Sequence, residues 1–151
     1  MVIDKFDGQY AFLSNFYESP ITDGTSTFPT VEHYFQAAKT DTIQDYLAIA
    51  RAKTPGESKR LGRRAHLRSD WEQVKDQVML DALRKKFAIP ELREKLLATG
   101  DADLIEGTLW HDQYWGVCNC DRCKGKGINI LGKLLTQVRE EIKKGGLGFL
   151  F

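Results

Sequence analysis

The stretch Val31-Glu32-His33-Tyr34-Phe35-Gln36-Ala37-Ala38-Lys39 constrains this chain most, because its apolar residues share one face only if it is a helix. At about 100° per residue, Val31, Tyr34, Phe35 and Ala38 fall together, the i, i+3, i+4, i+7 stripe of a core-facing helix. Glu32, Gln36 and Lys39 then share the adjacent flank. A carboxylate, an amide and an amine at the edge of an apolar stripe suit the wall of a cleft, since a solvated face sits opposite the core. The spacing predicts a helix from near Thr30 to near Thr40 with chemistry on that flank.

A chain of 151 residues fits one domain with a real core, and 42% hydrophobic with 28% charged residues places it among globular proteins. No apolar run reaches membrane-spanning length, and Met1-Val2-Ile3-Asp4-Lys5 lacks a basic region followed by an apolar one. The expected location is the cytoplasm, with no membrane partner. Three cysteines, all between Cys118 and Cys123, argue against a disulfide framework.

The first thirty residues read as strands and turns, with a hairpin whose Asp23-Gly24 turn separates Ile21-Thr22 from Thr25-Ser26-Thr27-Phe28. A second helix is expected over about Thr42 to Lys53. Thr54-Pro55-Gly56-Glu57 opens a third with a capping residue, a first-turn proline and a glutamate, ending at Gly62. Ser69-Asp70-Trp71-Glu72 is another capping box, opening a long helix with Trp71, Val74, Val78, Ala82 and Leu83 inward. Pro90 starts a shorter helix that stops at Gly100. Residues 103–107 suggest a strand, and residues 108–127 a loop too long to be mere connection. A last helix runs from about Asn129 to Lys144 and stops at Gly145-Gly146, leaving an apolar tail, Leu147 to Phe151, that could dock on the domain or a partner. The expected fold class is α+β, mainly α, as a single domain with a small β component.

Charge is balanced at +1 but unevenly spread. Arg51, Lys53, Lys59, Arg60, Arg63, Arg64 and Arg68 are opposed only by Glu57, a candidate phosphate or pyrophosphate site whose plain alternative is a solvated helix face. Glu32 and Asp112 are the acids that could serve catalysis, although taken in isolation each reads first as a cap or a surface salt-bridge partner. Lys39, held against aromatic neighbours, could lose its proton more readily than a solvated lysine and act as a nucleophile; it could also pair with Glu32 at a helix end. Trp71 and Trp115 offer flat surfaces for a heterocycle, although Trp71 also lies on an apolar stripe. Gly125, Gly127 and Gly132 bracket Asn129 at a helix start whose N–H groups could bind phosphate. Cys118, Cys120 and Cys123 could hold zinc with His111 as a fourth ligand, but without a second cysteine pair the default is a reduced loop with no metal and no cofactor.

Several segments together, Phe12-Leu13-Ser14-Asn15-Phe16-Tyr17, the helix of Glu32, Ser69-Asp70-Trp71, Ala98-Thr99-Gly100-Asp101, Asp112-Gln113-Tyr114-Trp115-Gly116 and Gly127-Ile128-Asn129-Ile130-Leu131-Gly132 with Val138-Arg139, carry a resemblance. In this order and spacing the chain resembles the NADAR (NAD and ADP-ribose associated), YbiA-like family of small N-glycosidases, from about residue 10 to residue 142. The resemblance implies catalytic roles for Glu32, Lys39 and Asp112. It implies substrate contacts at Asn15, Gln36, Arg63 (the arginine after Gly62), Trp71, Trp115, Gly116 and Asn129. The implied reaction is hydrolysis of a C1–N bond between ribose and an amino group of a heterocycle. ADP-ribose on guanine bases of DNA or RNA is the first substrate class, and phosphoribosylamino intermediates of riboflavin synthesis are the second. A non-catalytic module binding ADP-ribose or NAD is the rival from another class, and an adaptor binding unmodified nucleic acid is a third.

Overall fold

Threonine sets the start of three successive helices. Thr30, Thr42 and Thr54 precede α1 (Val31–Ala38), α2 (Ile43–Ala50) and α3 (Pro55–Arg64), and each side chain accepts the backbone N–H three residues on, from His33, Asp45 and Glu57. Each bond satisfies one of the donors a helix start leaves open. A computed structural model gives this arrangement and describes residues 1–145, so the apolar tail falls outside the described residues. The remaining elements are β1 (Val2–Ile3), a 3-10 helix (Gly8–Leu13), β2 (Glu18–Thr22), β3 (Thr27–Thr30), α4 (Trp71–Phe87), α5 (Pro90–Ala98), β4 (Asp103–Leu104), β5 (Gly107–Thr108), β6 (Val117–Cys118) and α6 (Ile130–Lys143). The class is α+β, mainly α, as expected. The chain divides into two compact units, Asn15–Lys86 and Met1–Ser14 with the chain from Phe87 onward.

In the unit Asn15–Lys86, β2 and β3 pair antiparallel with Ile21 opposite Phe28 and Thr22 opposite Thr27. The hairpin is wider at its tip than the sequence suggests. Asp23 accepts the N–H groups of both Thr25 and Ser26, at 2.9 and 2.8 Å, which holds residues 23–26 in the turn and delays β3 to Thr27. Helices α1, α2 and α3 pack on one another, and α1 also packs on β3. Around α1 the core holds Phe28, Val31, Phe35, Ala37 and Ile49.

Gly62 does not end α3, which continues to Arg64. It lies buried inside the helix, where a Cβ would sit 1.9 Å from Gln36 Oε1 and 3.0 Å from Lys39 Cε. The missing side chain therefore lets α3 close directly onto the polar flank of α1. After α3 the chain zips along the end of α1: the Arg68 N–H donates to the Lys39 carbonyl at 2.9 Å, and Thr40 bridges Leu67.

In the other unit, β1 and β4 pair parallel, with Val2 opposite Asp103 and Ile3 opposite Leu104. Helix α6 packs on β4 and α5, and the 3-10 helix packs on α5. Leu131, Leu135, Val138 and Ile142 form the buried stripe of α6. Arg139, also buried, donates to Thr99 Oγ1 at 2.8 Å, joining α6 to the end of α5 across forty residues of sequence. The strand expected over residues 103–107 covers only Asp103–Leu104, and Gly107 opens β5, which pairs parallel with β6.

Candidate functional site

Helix α1 is buried on more than its apolar stripe. Glu32 and Gln36 are 8% and 5% exposed, so the polar flank is enclosed rather than set at an edge. Gln36 Nε2 donates to Glu32 Oε2 at 2.5 Å, one helical turn away. The other amide atom, Gln36 Oε1, is buried without a hydrogen-bond partner, as is Asn15 Oδ1. Asn15 is tied to the same place through its backbone carbonyl, which accepts the Glu32 N–H at 3.0 Å, while its side-chain amide donates to Met79 Sδ at 3.6 Å. Two orphaned acceptors thus belong to residues bonded directly to Glu32. Unpartnered buried acceptors are costly, and a binding site is where such a cost is met by ligand donors.

Lys39 closes this flank at the end of α1. Burial disfavours its ammonium and lowers its pKa; the Glu32 carboxylate opposes that shift, and the positive charges of Arg63 and Lys59 add to it. Arg63 is exposed on α3 next to Gly62, so the close approach of the two helices is what brings its charge to bear on Lys39. The flank that the spacing assigns to Glu32, Gln36 and Lys39 is one face of α1, and the structure sets Gly62 and the charge of Arg63 from α3, and the backbone of Asn15, against it. Trp71 stands beside Phe35 on the inner side of α1, ring centroids 5.0 Å apart, and is only 7% exposed. Its indole serves first as a wall of the core.

Asp112, Trp115, Gly116 and Asn129 lie in the other unit, and there the structure gives their polar atoms to the protein's own backbone. Asp112 Oδ1 accepts the N–H groups of Tyr114 at 3.1 Å and Trp115 at 2.9 Å, forming the turn that presents a half-buried Trp115 edge-on to Tyr114. Gly116 is a close-approach glycine, since a Cβ would lie 2.2 Å from the Glu106 carbonyl. The phosphate cradle expected at Asn129 is not what forms. The N–H groups of Asn129, Ile130 and Leu131 donate to the carbonyls of Gly116, Tyr114 and Trp115. The Asn129 side chain donates to the Leu104 carbonyl at 2.9 Å and accepts the Glu106 N–H at 3.1 Å. The start of α6 is thus occupied by the loop that precedes it; Gly127 and Gly132 are needed for close backbone approach, a Cβ there lying 2.2 Å from the Gly116 carbonyl and 2.0 Å from the Leu104 carbonyl, and Gly125 for its positive φ. Farther along this loop, Cys118, Cys120 and Cys123 converge with His111. Burial opposes the Cys118 thiolate, but N–H groups of Cys120 and His111 and the neighbouring thiols outweigh it and bring the pKa to about 6.

Two buried groups were not foreseen. His33 is fully enclosed between Thr30 Oγ1, at 2.8 Å from Nδ1, and the Ala52 carbonyl, at 3.0 Å from Nε2. A carbonyl only accepts, so Nε2 carries the proton and Nδ1 accepts from the threonine hydroxyl, a neutral ring locking α1 to the end of α2. Position 33 falls off the apolar stripe, which is why periodicity gave it no role. Lys86 is also fully buried, with Nζ 5.7 Å from the centroid of the Tyr17 ring. It extends the stripe of Met79 and Leu83 by one turn, a signal masked by its place in the basic run Arg84-Lys85-Lys86.

Comparison with known proteins assigns the family. The model of the NADAR domain matches residues 3–143. The N-glycosidase YbiA of Escherichia coli strain K12 is 46% identical over 136 residues, covering 88% of this chain and 82% of that protein. A riboflavin biosynthesis protein of Vibrio vulnificus is 37% identical over 141 residues, 91% of this chain but 37% of that longer protein. The NMR structure of the E. coli protein YbiA superposes with a TM-score of 0.79 at 42% identity, covering 97% of this chain and 88% of that one. With a family model spanning nearly its full length and a relative this similar, the chain belongs to the NADAR family.

Proposed function

We propose that the chain is an N-glycosidase that hydrolyses the C1–N bond between a ribose and an amino group of a heterocycle, and that its substrate is ADP-ribose attached to guanine bases of nucleic acid. The observation that carries this reading is the enclosed flank of α1. There a buried carboxylate, Glu32, is paired with Gln36 beside an amine, Lys39, whose charged form burial disfavours. A binding module needs neither group.

The chemistry follows from those two side chains. Glu32 takes the proton of the glycosylated amino group and returns it to the ring oxygen, opening the sugar to an imine at C1. The neutral Lys39 amine adds to C1, and Glu32 carries both protons of that nitrogen, one after the other, to the departing one. The C1–N bond then breaks and the heterocycle leaves with its amino group intact. Water adds to the new lysine imine, freeing the sugar aldehyde and restoring the amine. Orphaned acceptors at Gln36 and Asn15 suit the hydroxyls of the sugar. Exposed Arg60, Arg63 and Arg64 on α3 suit a pyrophosphate and the polyanion that bears it.

One relative is named a riboflavin biosynthesis protein, which favours the phosphoribosylamino class as the second reading. Mass spectrometry of products from an oligonucleotide carrying ADP-ribosylguanine, and from a phosphoribosylamino-pyrimidine, tests the proposal. Release of free ADP-ribose with unmodified guanine supports it. Cleavage of the pyrimidine substrate alone moves the assignment to the second class, and stable binding of ADP-ribose without cleavage of either would replace the enzyme by a binding module.

A further inference from the structure

We infer that His111, Cys118, Cys120 and Cys123 form a closed four-ligand site for one zinc ion, which holds the β5–β6 loop in shape. The ligand atoms of all four lie within 4.8 Å of one another. His111 Nδ1 is 3.3 Å from Cys123 Sγ and 3.4 Å from Cys120 Sγ. In a tetrahedral site with Zn–S of about 2.3 Å and Zn–N of about 2.0 Å, nitrogen and sulfur ligands stand about 3.5 Å apart and sulfurs about 3.8 Å, so His111 already stands at ligand spacing from two sulfurs and the widest pair needs to close by no more than about 1 Å.

The backbone is arranged as a metal-thiolate site requires. Backbone N–H groups point at sulfur: His111 donates to Cys118 Sγ and Cys123 to Cys120 Sγ, both at 3.3 Å, and Cys120 also donates to Cys118. Such donors stabilise thiolate charge and fix the direction of the ligand. His111 and Lys124 hold positive φ, 70° and 52°, without being glycine, an unfavourable conformation that the fold keeps on both sides of the cluster. Cys118 and Cys123 are buried, and all three cysteines are free thiols. Soft sulfur donors with one imidazole select zinc over hard cations, and four protein ligands leave no open position for catalysis. The two halves of the site come from opposite sides of the turn. His111 precedes Asp112 and Trp115, and the cysteines follow them, so the ion ties down both ends of that turn.

The test uses the full chain purified without added metal. Elemental analysis should give about one zinc per chain, and a mercurial titration of the thiols should release it in parallel with the reaction of three sulfurs. Cobalt replacing zinc should show thiolate-to-metal charge transfer and the intense visible bands of tetrahedral coordination, a signature His111→Ala or Cys120→Ser should weaken or shift. Chelation should lower the melting temperature by about 10 °C and speed hydrogen exchange across residues 108–127. If a variant fails to fold, the cobalt spectrum of the unaltered chain still decides. A chain without metal whose three thiols react freely, one carrying a Cys120–Cys123 disulfide, or a cobalt complex lacking thiolate bands would overturn the site.

Discussion

Along α1 the helix bonds its own backbone past the first turn, and Gln36 Oε1 is buried there without a partner; from β5 to the start of α6 the reverse holds. There Asp112 binds the N–H groups of Tyr114 and Trp115, Asn129 braces Leu104 and Glu106, and Thr108 Oγ1 lies 3.4 Å from the carbonyls of Asp112 and Val117. A helix frees its side chains for chemistry, whereas an irregular loop spends them on its own shape. The contrast predicts that substitutions in α1 act mainly on turnover and substitutions in the loop mainly on stability.

The largest effect should come from Glu32→Gln. The amide keeps the size of the side chain, so the melting temperature should stay within a few degrees while turnover falls about 10³-fold. A variant that turns over normally would make Glu32 a structural group and remove the contrast. Next, Asp112 separates shape from charge. Asp112→Asn keeps the Oδ1 acceptor and should fold like the parent, whereas Asp112→Ala should lose about 1 kcal/mol with the two N–H bonds. If the acid role implied by the family resemblance also holds, the Asn variant should lose about 10²-fold in turnover; full activity would leave Asp112 as a turn residue alone.

Gly62→Ala sharpens the comparison from the packing side. The added methyl meets the Gln36 amide, so α3 or Gln36 must yield, at about 1–2 kcal/mol of stability and about tenfold in turnover as Glu32 loses its partner. Equal activity with lower stability would show that the Glu32–Gln36 bond is dispensable.

The smallest effect is one of pH. Burial lowers the pKa of His33, against the opposing influence of the Ala52 carbonyl and the Glu57 charge. Its folded value lies below the unfolded value of about 6.5. The unfolded chain therefore binds the proton first, and stability should be constant above about pH 7 and fall as pH drops from there through the folded value. Thermal unfolding from pH 8 to pH 5 reads this directly. In His33→Gln the curve should start lower and lose that portion of its slope; an unchanged slope would mean that His33 does not titrate there.

The helical side of this molecule was legible because side chains on a regular backbone repeat. Spacing alone put Glu32, Gln36 and Lys39 on one flank, and the capping threonines and Pro55 marked where helices begin. What periodicity could not give was how close a second helix would come. Gly62 reads as a terminator until α3 is seen against α1, and His33 reads as a bystander until Ala52 is seen beside it. In the loop the residue types stand out in the sequence, but their partners are backbone groups that no spacing rule identifies. Asn129 was expected to bind phosphate because a helix start exposes N–H groups, and carbonyls of Gly116, Tyr114 and Trp115 had already taken them.

The central claim is that the enclosed flank of α1 performs the cleavage, with Lys39 bonded to the sugar on the way. Borohydride added during turnover of an ADP-ribosylguanine oligonucleotide should reduce that imine to a stable amine. Intact-mass analysis should then show the sugar-containing adduct on the protein, and peptide mapping should place it on Lys39. Active enzyme that is never trapped, together with a Lys39→Ala variant that turns over normally, would contradict the claim and leave direct attack by water as the route.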